Sequence, residues 1–221
     1  MFKKLMSILR KGDLVDQAVQ DANKMMELAE SIYNEAIHSL FEKRKAGFDI
    51  YKADRQINNL EKNVRRILLE NIAYNPRQDI VASLILTSII IDIERIGDYS
   101  KNIYELTQLC MDSNKVAIDD KLAKDAEFLL KQFKVVQSAM EKDDAKEAKA
   151  IMDVLDPIRK GFDTYITNMV CESTGDVGTA VVNALFSRYL KRVGAHLENI
   201  ASSIANPFDR IGFYRDKHEI E

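Results

Sequence analysis

The residues best suited to chemistry lie between Ile89 and Leu106, in the run IIIDIERIGDYSKNIYEL. Wound as a helix, this run stacks Glu94, Asp98 and Asn102 along one side at intervals of four. Ile89, Ile93, Ile96, Ser100 and Ile103 fall on the other side, at the period of an amphipathic helix. Two carboxylates on successive turns repel when both are ionised. A cation held between them removes that repulsion, and Mg²⁺, Mn²⁺, iron or Zn²⁺ accept carboxylate oxygens. Two acids and an amide are too few ligands for a tight site, so others must come from a neighbouring helix, the rest of the chain or a second subunit. A solvated polar face has the same spacing, and in a chain with 30% charged residues that alternative stays open. The acid pairs Asp143/Glu147 and Glu172/Asp176 share the interval but sit at expected helix ends, where capping and the helix dipole account for them.

The helix recurs. Ser187 to Ile204 reads SRYLKRVGAHLENIASSI, and laying Glu94 on Lys191 (191 − 94 = 97) also pairs Gly97 with Gly194, Asn102 with Asn199 and Ile103 with Ile200. A fixed offset in a chain of this length predicts a duplicated helical unit. The second copy has lost the acids: Lys191 and Ala195 stand where the first has Glu94 and Asp98. His196, at the place of Tyr99, has no second metal ligand beside it and reads as a surface or interface residue.

The elements that carry these runs are helical. Gly (8) and Pro (3) are scarce and strand-like alternation is almost absent. The expected helices run from Asp13 to about Ala46, Asp49 to Ala73, Arg77 to about Met111, about Asp119 to Lys142, about Asp144 to Glu172, and Val177 to about Ala205. Gly47 is expected to stop the first, and its core stripe is Ala18, Ala22, Met25, Leu28, Ile32, Ala36 and Leu40. On the second, Ile57, Leu60, Val64, Ile67 and Leu68 face inward, with Glu61, Arg65, Arg66 and Glu70 around the polar side. Asn75-Pro76 ends the second and starts the third, where Asp79 suits the first turn. Pro157 predicts a kink, or a break near Asp156. The fold class is therefore all-α: two tandem three-helix bundles, six long helices related by duplication, spanning 13–111 and 119–205. A basic segment (1–12) and a tail (206–221) flank them.

Other chemistry finds little support. There is no Gly-rich phosphate loop, no G-K-S/T and no nucleophile elbow. His38, His196 and His218 are isolated in sequence, and Glu35/His38 is a single copy of a spacing that a di-iron bundle needs twice. A net charge of −3 supplies no field for nucleic acid. Cys110 and Cys171 lack metal-type spacing and read as reduced core thiols. The most apolar run, Val81 to Ile91, is interrupted by Ser83, Thr87 and Ser88 and is shorter than a bilayer span. Met1 to Lys11 is basic with a rough apolar face (Phe2, Leu5, Met6, Leu9), suited either to an anionic membrane surface or partner, or to packing on the bundle.

The run Asn75-Pro76-Arg77-Gln78-Asp79, then Asp92-Ile93-Glu94-Arg95-Ile96-Gly97-Asp98 and Asn102-Ile103, closely resembles the first repeat of PhoU-type phosphate regulators. The run from Ser187 resembles their second, and the likeness extends from about Asp13 to Asn206. This resemblance implies a non-enzymatic cytoplasmic regulator of phosphate uptake and starvation signalling, docking at the inner face of the membrane on a phosphate transporter, a sensor kinase, or both. It implies a homodimer, and an iron, zinc or other divalent ion on the E/D-x-x-x-D face, here Glu94, Asp98 and Asn102 in the first repeat only. Two alternatives remain: an accessory subunit of a sodium-phosphate cotransporter, and a metal-dependent bundle enzyme or iron handler, which needs buried carboxylates from four helices.

Overall fold

The computed structural model describes residues 13–74, 80–111, 116–172 and 176–212. The expectations for the 1–11 segment, Asn75-Pro76 and Asp79 lie outside these residues. Among the described residues six long helices follow one another: α1 (Asp13–Glu42), α2 (Ile50–Tyr74), α3 (Ile80–Met111), α4 (Asp120–Lys142), α5 (Ala145–Glu172) and α6 (Val177–Ala205), then a short 3-10 turn at Phe208–Arg210. The described residues contain no strand.

Local chemistry sets most boundaries. Asp49 accepts from the amide of Lys52 (2.9 Å) at the start of α2. Asp119 accepts from the amides of Lys121 and Leu122 at α4, and Asp176 from that of Thr179 at α6. The stop of α1 corrects the expectation at Gly47. The helix ends at Glu42, and Lys43 takes the left-handed conformation (φ 50°). The amide of Arg44 then reaches back to the Ser39 carbonyl at 3.1 Å. Because this wrap satisfies the last turn, Gly47 is left as a linker residue donating to Glu35 Oε1 (2.8 Å). Helix α4 ends the same way, at Asp143 (φ 53°), with the amide of Asp144 on the Ala139 carbonyl (3.1 Å). Asp144 Oδ1 in turn caps α5 by accepting from Lys146 and Glu147.

Helix α5 runs unbroken through Pro157, so of the two outcomes expected there, a kink or a break near Asp156, the break does not occur. Ile151, Met152, Leu155 and Phe162 are all buried, so packing grips the helix on both sides of the proline, whose ring faces solvent. Lys160 reaches back one turn to Asp156 (2.6 Å) across the same point.

Helices α1–α3 and α4–α6 each pack as a triplet, and one core runs through both. Two seams join the triplets. In one, Tyr33 of α1 stacks on Phe133 of α4 (ring centroids 5.2 Å) and donates to the Ala126 carbonyl (3.0 Å). In the other, α3 and α6 pack antiparallel: Asp92 faces His196 and Asn199, while Tyr99 faces Tyr189 and His196. Cys110 is a buried thiol as expected; Cys171 is exposed, which corrects its placement in the core. Among the described residues no helix is long and apolar enough to cross a membrane.

Candidate functional site

The first-repeat acids lie along the seam between α2 and α3. The seam is narrow because of Gly97: a Cβ there would come within 3.0 Å of Ile57 Cδ1. The close approach brings two further acids to the face, Asp54 and Glu61, both buried on α2. Glu61, expected on the polar side, instead lies at the edge of the buried stripe. It is held by Arg65 one turn on (2.6 Å).

Glu94 and Asp98 open partly to solvent, with side chains 18% and 31% exposed. They form neither a sealed core site nor a freely solvated ridge. Asn102, one turn on, is also partly exposed. Lys101 lies across the seam. Its Nζ sits 2.9 Å from Asp98 Oδ1 and 3.0 Å from Asp54 Oδ2. Burial works against its charge, but the hydrogen bonds to Asp98 and Asp54 outweigh it and raise its pKa. Arg95 sits 3.6 Å from both Glu94 and Asp98, a looser contact at the solvent edge.

Glu94 is the member left in excess. Burial raises its pKa first, then the charge of Asp98; Arg95 opposes, and Glu61 and Asp54 add to the rise. A cation at this face relieves that charge, so the electrostatics fit a metal. The ligand geometry as folded does not: among the described residues no group of three or more His, Cys, Asp or Glu side chains stands ready to hold an ion. The described acids at the face come from two helices, whereas the bundle-enzyme alternative calls for four.

The sign of the Glu94 effect is testable. Its folded pKa is raised, so stability from its protonation is present below the ordinary Glu range and is lost as pH rises through the raised value. Glu94→Gln is therefore expected to raise the unfolding free energy at pH 7 by about 0.5 kcal/mol, the scale of a like-charge pair at i,i+4. In urea titrations the gain should vanish near pH 3. A loss of stability at pH 7 would mean that the carboxylate has a strong cationic partner beyond Arg95.

The second repeat carries other charges at its corresponding seam, between α5 and α6. Lys191, at the Glu94 position, donates to both carboxylate oxygens of Asp163 on α5 (2.6 and 2.5 Å). Glu198, at the Lys101 position, pairs with Arg159 of α5 (2.5 Å). His196 is an interface residue: Nδ1 lies 2.7 Å from Asp92 Oδ1, and the ring stacks on Tyr99 at 5.7 Å. Asn199, the counterpart of Asn102, donates to the same Asp92 oxygen (3.1 Å). His38, alone in sequence, has Glu127 of α4 3.3 Å from Nε2.

Sequence reasoning missed Asp54, Glu61 and Lys101. A signal existed for the acids: both flank Ile57 and Val64 on the buried stripe of α2, where a charge needs a partner. Lys101 carried none, since a lysine on a polar helix face is ordinary.

Comparison with known proteins agrees with this architecture. A family model described as the PhoU domain matches residues 22–107. Over 194 residues the chain is 27% identical to the phosphate-specific transport system accessory protein PhoU homolog 1 of Thermotoga maritima, covering 83% of this chain and 82% of that one. Among solved structures, PhoU from Pseudomonas aeruginosa superposes with a TM-score of 0.74 at 19% identity, covering 86% of this chain and 95% of that one. The phosphate transport system regulatory protein PhoU from Streptococcus pneumoniae gives 0.72 at 17%, covering 86% and 92%. At those identities the two structures speak to the fold alone.

Proposed function

The chain belongs to the PhoU-type family, and on that premise we propose that it is a non-enzymatic regulator of phosphate transport, working in the cytoplasm by docking on a membrane phosphate transporter, its sensor kinase, or both. The observation that carries this reading is the match to a phosphate-transport accessory protein, which runs through both repeats rather than the first alone. The surface is in keeping with docking. Leu69, Tyr74, Ile80 and Leu84 stay exposed where α2 gives way to α3. Val170, Val177, Val181 and Leu185 do so at the corresponding turn of the second repeat. Side chains of this size left in water at matching places favour a partner over solvent.

At the acid face, Glu94, Asp98 and Asn102 would hold a divalent, iron or zinc ion only together with further ligands from a rearranged seam or a second subunit. Such an ion supplies charge neutralisation and a link between oxygens. What the chain itself does is position the acids on one seam. An ordered seam steadies the surface presented to a partner or to a second copy in a dimer.

Capture from membranes of phosphate-limited cells, with the full chain as bait and a Val181→Asp/Leu84→Asp variant beside it, tests the docking. A phosphate-transporter subunit or its kinase recovered with the first and lost with the second supports it. Recovery of a sodium-phosphate carrier instead selects the cotransporter alternative. Equal recovery with both baits sinks docking through these surfaces.

A further inference from the structure

We propose that Lys101 is a built-in cation that closes the acid seam of the first repeat, so that any divalent ion at Glu94 and Asp98 binds only in competition with it. The inference rests on the metal reading of that face and narrows it. Three observations carry it.

The first is position. Lys101 Nζ bonds one oxygen of Asp98 and one of Asp54, on two different helices. Bridging carboxylates from adjacent helices is what a metal ion would do at this seam, and the ammonium does it already. An ion at Glu94 and Asp98 must share Asp98 with a positive charge at hydrogen-bond distance. As long as the bridge stands, Asp54 cannot turn to it as a further ligand without breaking a bond to Lys101.

The second is enclosure. The Lys101 side chain is only 21% exposed and its Asp54 partner 11%, so neither is a surface group swinging through solvent. A pair held this tightly is not displaced without leaving a desolvated charge behind.

The third comes from the other repeat. The residue 97 positions on from Lys101 is Glu198, which makes an ion pair with Arg159 across α5 and α6. Both repeats thus tie their last two helices through an ion pair at this position of the last helix, with the charges exchanged between helices. The residue 97 on from Glu94 is Lys191, bonded to Asp163. There the protein's own ammonium stands at the place of the acid. The second repeat is held by close internal ion pairs at both positions; the first has the Lys101 bridge, and its Glu94 has only the looser contact with Arg95 at 3.6 Å. Lys101 is thus the residue that sets how readily the first-repeat face takes an ion, and by which ligands.

The test is Mn²⁺ binding by calorimetry to the full chain, to Lys101→Met and to Lys101→Arg, all stripped with chelator. Lys101→Met is expected to bind about tenfold or more tightly than the parent, the scale by which groups around a metal change its affinity. Lys101→Arg, which keeps the charge, is expected to match the parent. Asp54→Asn added to Lys101→Met should remove the gain, because Asp54 is the ligand released. A thermal readout runs alongside, at a Mn²⁺ concentration between the two dissociation constants: the parent's melting temperature should be nearly the same with chelator and with Mn²⁺, while that of Lys101→Met should fall in chelator and recover with Mn²⁺. Lys101→Gln carries the same expectations in milder form. Equal affinity of parent and Lys101→Met, or a gain that survives Asp54→Asn, overturns the inference. Tight stoichiometric metal in the parent with no Lys101 effect would overturn it while leaving the metal reading intact. No binding by any variant overturns both.

Discussion

Replacing Phe133 by alanine should lower the unfolding free energy by about 4 kcal/mol, within the usual ~3–5 kcal/mol for removing a buried aromatic ring. Phe133 is fully buried on α4 and stacks on Tyr33 of α1, itself fully buried. The pair joins the first helix of one repeat to the first helix of the other, so its loss opens a cavity in the joint. Against a total of roughly 5–15 kcal/mol for a domain, this is a large fraction. Urea denaturation followed by circular dichroism measures it, with the native helical signal expected to be retained. Tyr33→Phe is the control. It keeps the ring and removes only the hydrogen bond to the Ala126 carbonyl, and should cost about 1 kcal/mol. A Phe133→Ala loss no larger than that of Tyr33→Phe would mean that α4 does not pack on α1 as described.

The second large effect concerns the ion pair that ties α5 to α6. Arg159→Met leaves Glu198, only 8% exposed in the folded chain, without the cation it pairs with. Burial already raises the Glu198 pKa, with Arg159 opposing and the charge of Asp156 adding to the rise. Removing one partner of a fully buried pair costs about 3–5 kcal/mol; Arg159 is 27% exposed, so water screens part of the loss and about 2 kcal/mol is expected here. Two further measurements separate lost charge from lost packing. Glu198→Gln in the Arg159→Met background should recover most of the deficit, because no unpaired charge remains. The deficit should also shrink as pH falls: with its folded pKa raised, Glu198 takes up a proton more readily in the native chain than in the unfolded one, and a neutral carboxyl needs no partner. A deficit that is the same at pH 5 and pH 8, and that Glu198→Gln leaves untouched, would assign Arg159 a packing role only.

The periodicity of apolar residues located six helices and their order, and the core stripe of α1 came out as read except for Leu28, which is only partly buried. Where the reading failed, geometry that one-dimensional pattern does not carry was responsible. The stop at Lys43 depends on a left-handed residue and a backbone bond to Ser39, neither of which requires glycine. The continuity of α5 through Pro157 depends on buried side chains gripping it on both sides. A proline rule that considers one helix alone cannot weigh that grip.

The acid face divides in the same way. The sequence by itself determined that Glu94, Asp98 and Asn102 lie on one side of one helix, that the second repeat lacks those acids, and that both repeats put glycine at the same place. Those are statements about spacing within a helix, where 3.6 residues per turn settles which side chains are neighbours. The tertiary structure alone decided that Asp54 and Glu61 join them, that Lys101 spans 47 residues of sequence to reach Asp54, and that Arg159 does for Glu198 what Lys101 does for Asp54. Which charges meet across two helices depends on their register and separation. Both follow from how Gly97 admits Ile57 and how the buried stripes interlock, and neither follows from the period of either helix on its own.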